Sequence, residues 1–439
     1  MMTNEFYSGP APVLEYRLDQ SFCWPRLAVS SMPWARSVSL ALWWGAGARR
    51  ESANESGIAH FIEHMLFKGT HQRSAHEINV EIERYGGSLN GFTGEEVVSI
   101  QVRVPAAFWR PTLDILMDIA QNPSFNSSEL ESEREVVLEE IAMVADRPDY
   151  LAQELLEDAL WPDHPLGRPL TGTEKTLSGF QAEDLRNWYR RNLMGSTFWI
   201  TAAGAVAMDD LKTQVERNLP FGSAREAGVP RELLPAPAFE RAGPEFRMQR
   251  RDFEQVHLNL GFPAFSEQDP RRHALRLLNF ILGEGMSSRL WYELREKHGL
   301  VYQVSSDVSA LSDAGSFNIQ LATDEDHLMQ SLGIVGDQLQ RIMNEPPREE
   351  ELKRARDYAS GQLELALEST LAQVNWMGED LLAYGRVLSI SEQIENLEAV
   401  QPDDLVEISR LLFRQSQMAV AAVGTVPEDQ AVLDVLGLQ

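Results

Sequence analysis

Two stretches of this chain, 220 residues apart, carry one pattern without a gap. Asp184-Leu185 leads through Arg190 to Ala202-Ala203-Gly204-Ala205-Val206 and then Asp209. Asp404-Leu405 leads through Arg410 to Ala422-Val423-Gly424-Thr425-Val426 and then Asp429. Equal spacing at every matched position is what a duplicated unit leaves behind. Each copy reads as helix, buried strand, turn, helix. Earlier in each half comes an alternating strand: Val38, Leu40 and Leu42 in one, and Val256, Leu258 and Leu260 in the other, the latter leading to a helix expected at Arg271 to Leu282. A chain of 439 residues is too long for one ordinary core. The repeat therefore predicts an α+β architecture of two homologous halves, each a mostly antiparallel sheet covered by helices on one face. Pro230, Pro235, Pro237 and Pro244 fall between the copies, and prolines at that density suit an extended linker. The expected division is 1–222, a linker at 223–245, and 246–439.

The net charge is −27, from 39 basic and 66 acidic residues. A nucleic-acid surface would be basic, so nucleic-acid partners are excluded. The plain reading is a well-solvated acidic exterior; the sharper one is that part of the charge lines a cavity and attracts basic peptides. Cys23 is the only cysteine, which rules out an intrachain disulfide and a multi-thiolate zinc site, and it reads as an inert thiol. Met1 to Pro12 resembles neither a signal nor a transit peptide. The apolar stretches Phe198 to Met208 and Met418 to Val426 are too short to cross a bilayer and read as buried strands. A soluble cytoplasmic protein with no membrane partner is expected.

The chemistry is concentrated at His60-Phe61-Ile62-Glu63-His64. Residues four apart on a helix share a face, so both imidazoles present to one side. Zinc takes such neutral nitrogens at about 2 Å, and a catalytic site keeps one position open for water. Glu63 projects near that face, where a carboxylate can take a proton from water activated by the metal and pass it to a leaving amine. Ile58, Phe61, Ile62, Met65 and Leu66 supply the core-facing stripe, and Gly69 suits the helix stop. The second half has no such motif. A third ligand must come from elsewhere. Ser128 to Met143 is strongly helical and rich in glutamate, with Glu133 and Glu140 two turns apart on one face and Val136, Val137 and Ile141 expected to pin it to the core. Glu140 is the candidate ligand, and Glu133 a supporting or alternative carboxylate that orients the site. From the residues alone, a solvated acidic face is an equal account of Glu140.

Several segments together resemble the pitrilysin or insulinase family of metallopeptidases, specifically the short bacterial members related to mitochondrial processing peptidase. They are Gly57 to Thr70 around the motif, Gly86-Gly87-Ser88-Leu89-Asn90, Glu133 to Glu140, His164-Pro165-Leu166-Gly167-Arg168-Pro169, Ser287-Ser288-Arg289-Leu290, and Leu294 to Tyr302. The likeness spans nearly the whole chain. It implies that His60, His64 and Glu140 bind one zinc ion per chain, that Glu63 is the general base, and that Glu133 supports the site. It implies that Arg295 and Tyr302, from the half without zinc, donate hydrogen bonds to a substrate carbonyl and to the oxyanion. It makes Asn90, Gly91, Phe92 and Thr93 an edge strand that holds substrate. Two positions depart from the family's pattern: Gly91 stands where alanine is usual, and Glu284 interrupts a glycine-rich turn. The family's architecture is a clamshell whose two halves enclose a chamber open to peptides and unfolded polypeptide, built in short members from two chains. A homodimer is therefore expected. The competing readings are an enzyme that needs a different partner chain, and a non-catalytic subunit like the core proteins of respiratory complexes. All catalytic positions intact in one chain weigh against both.

Overall fold

The computed structural model describes residues 16–19, 25–219, 235–236, 243–425 and 428–438. Met1 to Pro12, Cys23, Val426 and all of the expected linker except 235–236 and 243–245 lie outside the described residues.

The described strands form two sheets. β1 (Tyr16–Asp19), β2 (Arg26–Ser31), β3 (Ser37–Trp44), β4 (Ser88–Thr93), β5 (Val98–Pro105) and β6 (Phe198–Gly204) take the order β1-β2-β6-β3-β5-β4. β7 (Glu245–Arg250), β8 (Val256–Ala264), β9 (Val301–Ala310), β10 (Gly315–Thr323) and β11 (Ala419–Gly424) take the order β7-β11-β8-β10-β9. Without β1 the two orders are the same. In each sheet one pair is parallel, β2 with β6 and β7 with β11, and the rest are antiparallel. The fold is α+β, with both sheets covered by helices.

The repeat has a physical cause at its glycines. Gly204 and Gly424 end β6 and β11 with φ of 120° and 127°, which side chains rarely adopt. A Cβ on Gly204 would lie 2.2 Å from the Ser37 carbonyl oxygen, and one on Gly424 would lie 3.0 Å from that of Gln255. Each glycine thus sits against the chain entering the neighbouring strand. Around it the elements match. In the first half the Ala182–Trp188 helix, prolonged by a π-helical turn at Tyr189–Leu193, leads to β6 and the Met208–Asn218 helix. In the second half the Pro402–Leu412 helix leads to β11 and the Asp429–Leu436 helix.

The expectation of one covered face per sheet is corrected by the structure. In β3 not only Val38, Leu40 and Leu42 but also Ser39, Ala41 and Trp43 are buried. The reason is an exchange of helices between the halves. The Pro148–Leu160 helix, from the first half, lays Leu156, Ala159 and Leu160 on Ala419 and Ala421 of the second sheet. The Thr370–Tyr384 helix, from the second half, lays Val374, Met377 and Leu381 on Ala28, Ala41, Trp43, Trp199 and Ala203 of the first. The two helices begin at equivalent places in the repeat, so the swap is reciprocal. Polar groups seal the second contact: Thr370 Oγ1 bonds Ser39 Oγ at 2.9 Å, and Thr201 Oγ1 takes the Trp43 Nε1 proton at 3.0 Å while donating to the Val374 carbonyl at 3.1 Å. No helix among the described residues is long and apolar enough to cross a membrane.

The two repeat glycines should differ in tolerance. Gly204→Ala is expected to lower unfolding free energy by about 2 kcal/mol or more, from left-handed strain plus the close carbonyl. Gly424→Ala, with its neighbour farther off, should lose less. Urea unfolding midpoints of the two variants check this.

Candidate active site

The motif helix runs Ile58–Leu66. Ile58, Phe61, Ile62, Met65 and Leu66 are buried against the first core, which turns His60, Glu63 and His64 to the other side. Its start is held by Glu51, whose carboxylate accepts from Gly57 N and Ala59 N at 2.8 Å each. These are amides with no partner inside the helix. Burial, only partly offset by those two bonds, pushes the Glu51 carboxyl up to about 8. Arg168, from the His164–Pro169 segment, donates to the Glu51 carbonyl at 3.1 Å.

The two imidazoles meet edge to face at 4.6 Å. Burial, and then the neighbouring His64, push the His60 imidazole down to about 4, so at neutral pH it is uncharged with a free lone pair. The second helix runs Ser127–Ala145 and delivers Glu140, whose Oε2 lies 3.9 Å from His60 Nε2 and 3.7 Å from His64 Nε2. One donor atom from each of the three residues lies within 4.8 Å of the others. Three donors at about 2 Å from a tetrahedral zinc ion would stand about 3.3 Å apart, so a small contraction fits the ion. The donor set, two imidazole nitrogens and a carboxylate oxygen, is a zinc set.

Glu133 lies two turns before Glu140 and is 4% exposed. Its Oε1 is 2.8 Å from His64 Nδ1, which fixes the ring and leaves Nε2 toward Glu140. Its Oε2 is paired with Lys68. The helix is anchored by Arg134, which donates to the carbonyls of Leu177 and Phe180. Leu130 and Val137 are buried beside it, and Ile141 packs against the core. Val136 does not join them. It is 46% exposed, because Glu133 and Val137 already define the buried face and Val136 turns away from it.

β4 pairs only with β5, so its other edge is free among the described residues. Asn90, Gly91, Phe92 and Thr93 form that edge, and Phe92 is half exposed. Glu63 lies against it. Thr93 Oγ1 donates to Glu63 Oε2 at 3.1 Å, and a Cβ on Gly91 would stand 1.9 Å from Glu63 Oε1. The departure to glycine leaves a notch that the Glu63 carboxylate fills. Burial raises the Glu63 carboxyl above the usual carboxylate range, against the lowering pull of His64 and the Thr93 hydroxyl.

Arg295 and Tyr302 are brought to each other but not to the ligands. Arg295 sits on a π-helical turn, Trp291–Lys297, and donates to the Tyr302 carbonyl at 2.5 Å. Its guanidinium lies over the rings of Trp291 and Tyr302, at 4.4 and 5.3 Å. Tyr302 is 70% exposed. Neither residue bonds or pairs with His60, His64, Glu63 or Glu140 among the described residues.

A profile of the insulinase family, peptidase family M16, matches residues 26–174, and one of the M16 inactive domain matches 179–358. The chain belongs to the M16 family of zinc proteases. An uncharacterized zinc protease of Streptomyces coelicolor is 32% identical over 92% of this chain and 89% of its own. The uncharacterized zinc protease YmxG of Bacillus subtilis is 34% identical over 89% and 94%. A solved protease from Helicobacter pylori, 18% identical, superposes with TM-score 0.87 over 94% of this chain and 100% of its own. A chain of complex III2 from Candida albicans, 17% identical, gives 0.79 over 94% and 97%. At those identities the solved structures speak for the fold alone.

Sequence reasoning missed two supports of this M16 site. Lys68 follows His64 by four positions, just past the helix end, and that spacing could have found it. Glu51 accepts from amides six and eight residues further on, and no usual capping spacing marks it. Removing the carboxylate behind His64 should loosen metal without touching a ligand: Glu133→Ala is expected to weaken zinc binding about 10–100-fold. Competition with a chromophoric chelator measures it, and unchanged affinity would contradict the assignment.

Proposed function

We propose that this chain is a zinc-dependent endopeptidase of short or unfolded peptides, with one zinc ion per chain held by His60, His64 and Glu140. The observation that carries this reading is the convergence of those three donors beside Glu63, which itself lies against a free strand edge. A bound zinc ion supplies a Lewis acid that acidifies water and polarises a carbonyl.

The remaining steps fall to the chain's own residues. An extended peptide adds to the free edge of β4, taking main-chain hydrogen bonds along Asn90, Gly91, Phe92 and Thr93, which gives affinity without strict choice of sequence. Glu63 takes the proton from the attacking water. Its raised pKa lets it hold that proton and return it to the leaving nitrogen. Arg295 and Tyr302 donate hydrogen bonds to the substrate carbonyl and to the oxyanion formed on attack. Arg295 is pre-set for this by its stacking between Trp291 and Tyr302.

The exposed Tyr302, and the lack of any bond from Arg295 or Tyr302 to the ligands among the described residues, support a homodimer, with the metal half of one copy facing the arginine–tyrosine half of the other. We take residues 1–222 and 246–439 as the two domains, with 223–245 as the linker, and the enclosure between facing halves as a clamshell chamber. The net charge of −27 favours basic peptides in such a chamber. A peptide-library profile should show Lys or Arg enriched near the cleaved bond, and a flat profile would contradict that preference. The lone cysteine suits a reducing compartment, and we place the enzyme in the cytoplasm.

Glu63→Gln tests the reading. It removes the base and leaves all three ligands, so cleavage of an internally quenched flexible peptide should fall about 100- to 10,000-fold with zinc content unchanged. Equal activity in variant and parent would overturn the mechanism. No cleavage by the zinc-loaded parent would overturn the function.

A further inference from the structure

The segment Gly47–Glu51 sits where three parts of the molecule meet. Its backbone lies directly on the turn that joins β4 to β5. A Cβ on Gly47 would stand 2.2 Å from the Gly94 carbonyl oxygen and 2.6 Å from Val97 N, so only backbone fits between them. Ala48 N donates to Gly94 O at 3.1 Å and Arg49 N to Glu95 O at 2.7 Å. From this pinned backbone the Arg49 side chain, fully enclosed, reaches two carboxylates. Its Nη1 donates to Glu96 Oε1 and to Asp313 Oδ1 at 2.6 Å each, and its Nη2 donates to Asp313 Oδ2 at 2.8 Å. Glu96 belongs to the β4–β5 turn. Asp313 belongs to the β9–β10 turn of the other half. Glu96 is held a second time from that half, by Ser312 N at 2.9 Å and Ser312 Oγ at 2.7 Å. Two residues beyond Arg49, Glu51 caps the motif helix.

One short segment therefore connects the metal helix, the tip of the hairpin carrying the Asn90–Thr93 edge, and the tip of the hairpin whose first strand opens on Val301 and Tyr302. A planar guanidinium shared between two carboxylates, one of them gripped by two parallel bonds, tolerates little rotation. We infer that Arg49 is a positioning residue for substrate binding: through Glu96 it fixes the end of the substrate-holding edge strand, and through Asp313 it locks that strand to the second half. The inference rests on the reading of β4 as the strand that holds peptide. Arg49 touches neither metal ligands nor substrate. Its effect is on where the edge lies relative to Glu63.

Asp313→Asn is the informative change, because Asp313 is partly exposed and the variant keeps its size while losing the charge that Arg49 grips. Two measurements are made on the zinc-loaded full chain. In the first, KM for a flexible quenched peptide should rise about tenfold with kcat within about twofold, as loss of binding and not of chemistry requires. Zinc affinity should be unchanged, and Asp313→Glu should restore most of the KM. In the second, amide hydrogen exchange should quicken at 88–98 and 311–314 while Ile58–Leu66 stays protected. Exchange does not depend on cleavage, so the clamp is tested even if the peptidase reading fails. Faster exchange with an unchanged KM would reduce Arg49 to a structural tie and overturn the inference. Unchanged exchange, or a parallel loss of kcat, zinc affinity and melting temperature, would overturn it as well.

Discussion

The metal site depends on one buried carboxylate shared by His64, on the motif helix, and Lys68, just past its end. Glu133 meets His64 Nδ1 with one oxygen and Lys68 with the other. His64 lies in the last turn of the motif helix and Lys68 just past its end, so Glu133 ties its own helix to that turn and to the segment that follows. With that register fixed, Glu140 arrives two turns on, opposite both Nε2 atoms. Arg134, next in sequence to Glu133, ties the same helix to the carbonyls of Leu177 and Phe180. A buried carboxylate with a single partner would be costly; two cationic or hydrogen-bonding partners satisfy it, and the ring orientation of His64 follows.

The reciprocal helix exchange gives this local geometry a rigid frame. Each sheet packs its own helices on one face and a helix from the other half on the opposite face. The strands accordingly read as nearly continuous buried runs: every residue of β6 and β11 is buried. Folding either half without the other would leave one apolar sheet face uncovered. The halves are thus a repeat in sequence and one unit in packing, and the carboxylates around Arg49 join them again at the hairpin tips.

Much of this was legible in the sequence because it is local. The four-residue spacing of His60 and His64, the apolar stripe behind them, and the seven-residue spacing of Glu133 and Glu140 are helical facts that need no knowledge of the fold. The repeat was legible because the glycines at 204 and 424 answer the same steric demand in both copies. What failed was long-range. Alternation in β3 suggested a single buried face, since nothing near Val38 reveals that a helix more than 300 residues away will cover Ser39, Ala41 and Trp43. Val136 and Val137 look alike in sequence, and only the direction set by Glu133 decides which is buried. The notch at Gly91 was visible as a departure, but its occupant, the Glu63 carboxylate, required the strand and the helix in place.

The central proposal is that this M16 zinc protease completes each active site with two copies of the chain, the ligands and Glu63 from one and Arg295 and Tyr302 from the other. Mixing two inactive variants tests it most directly. A Glu63→Gln chain and an Arg295→Ala/Tyr302→Phe chain, each with its own affinity tag, are co-expressed, and the heterodimer is isolated by both tags. The account predicts that each parent homodimer is nearly inert while the heterodimer recovers about half of the wild-type turnover per dimer, because one of its two sites draws both intact halves. A doubly tagged heterodimer as inactive as its parents would contradict it.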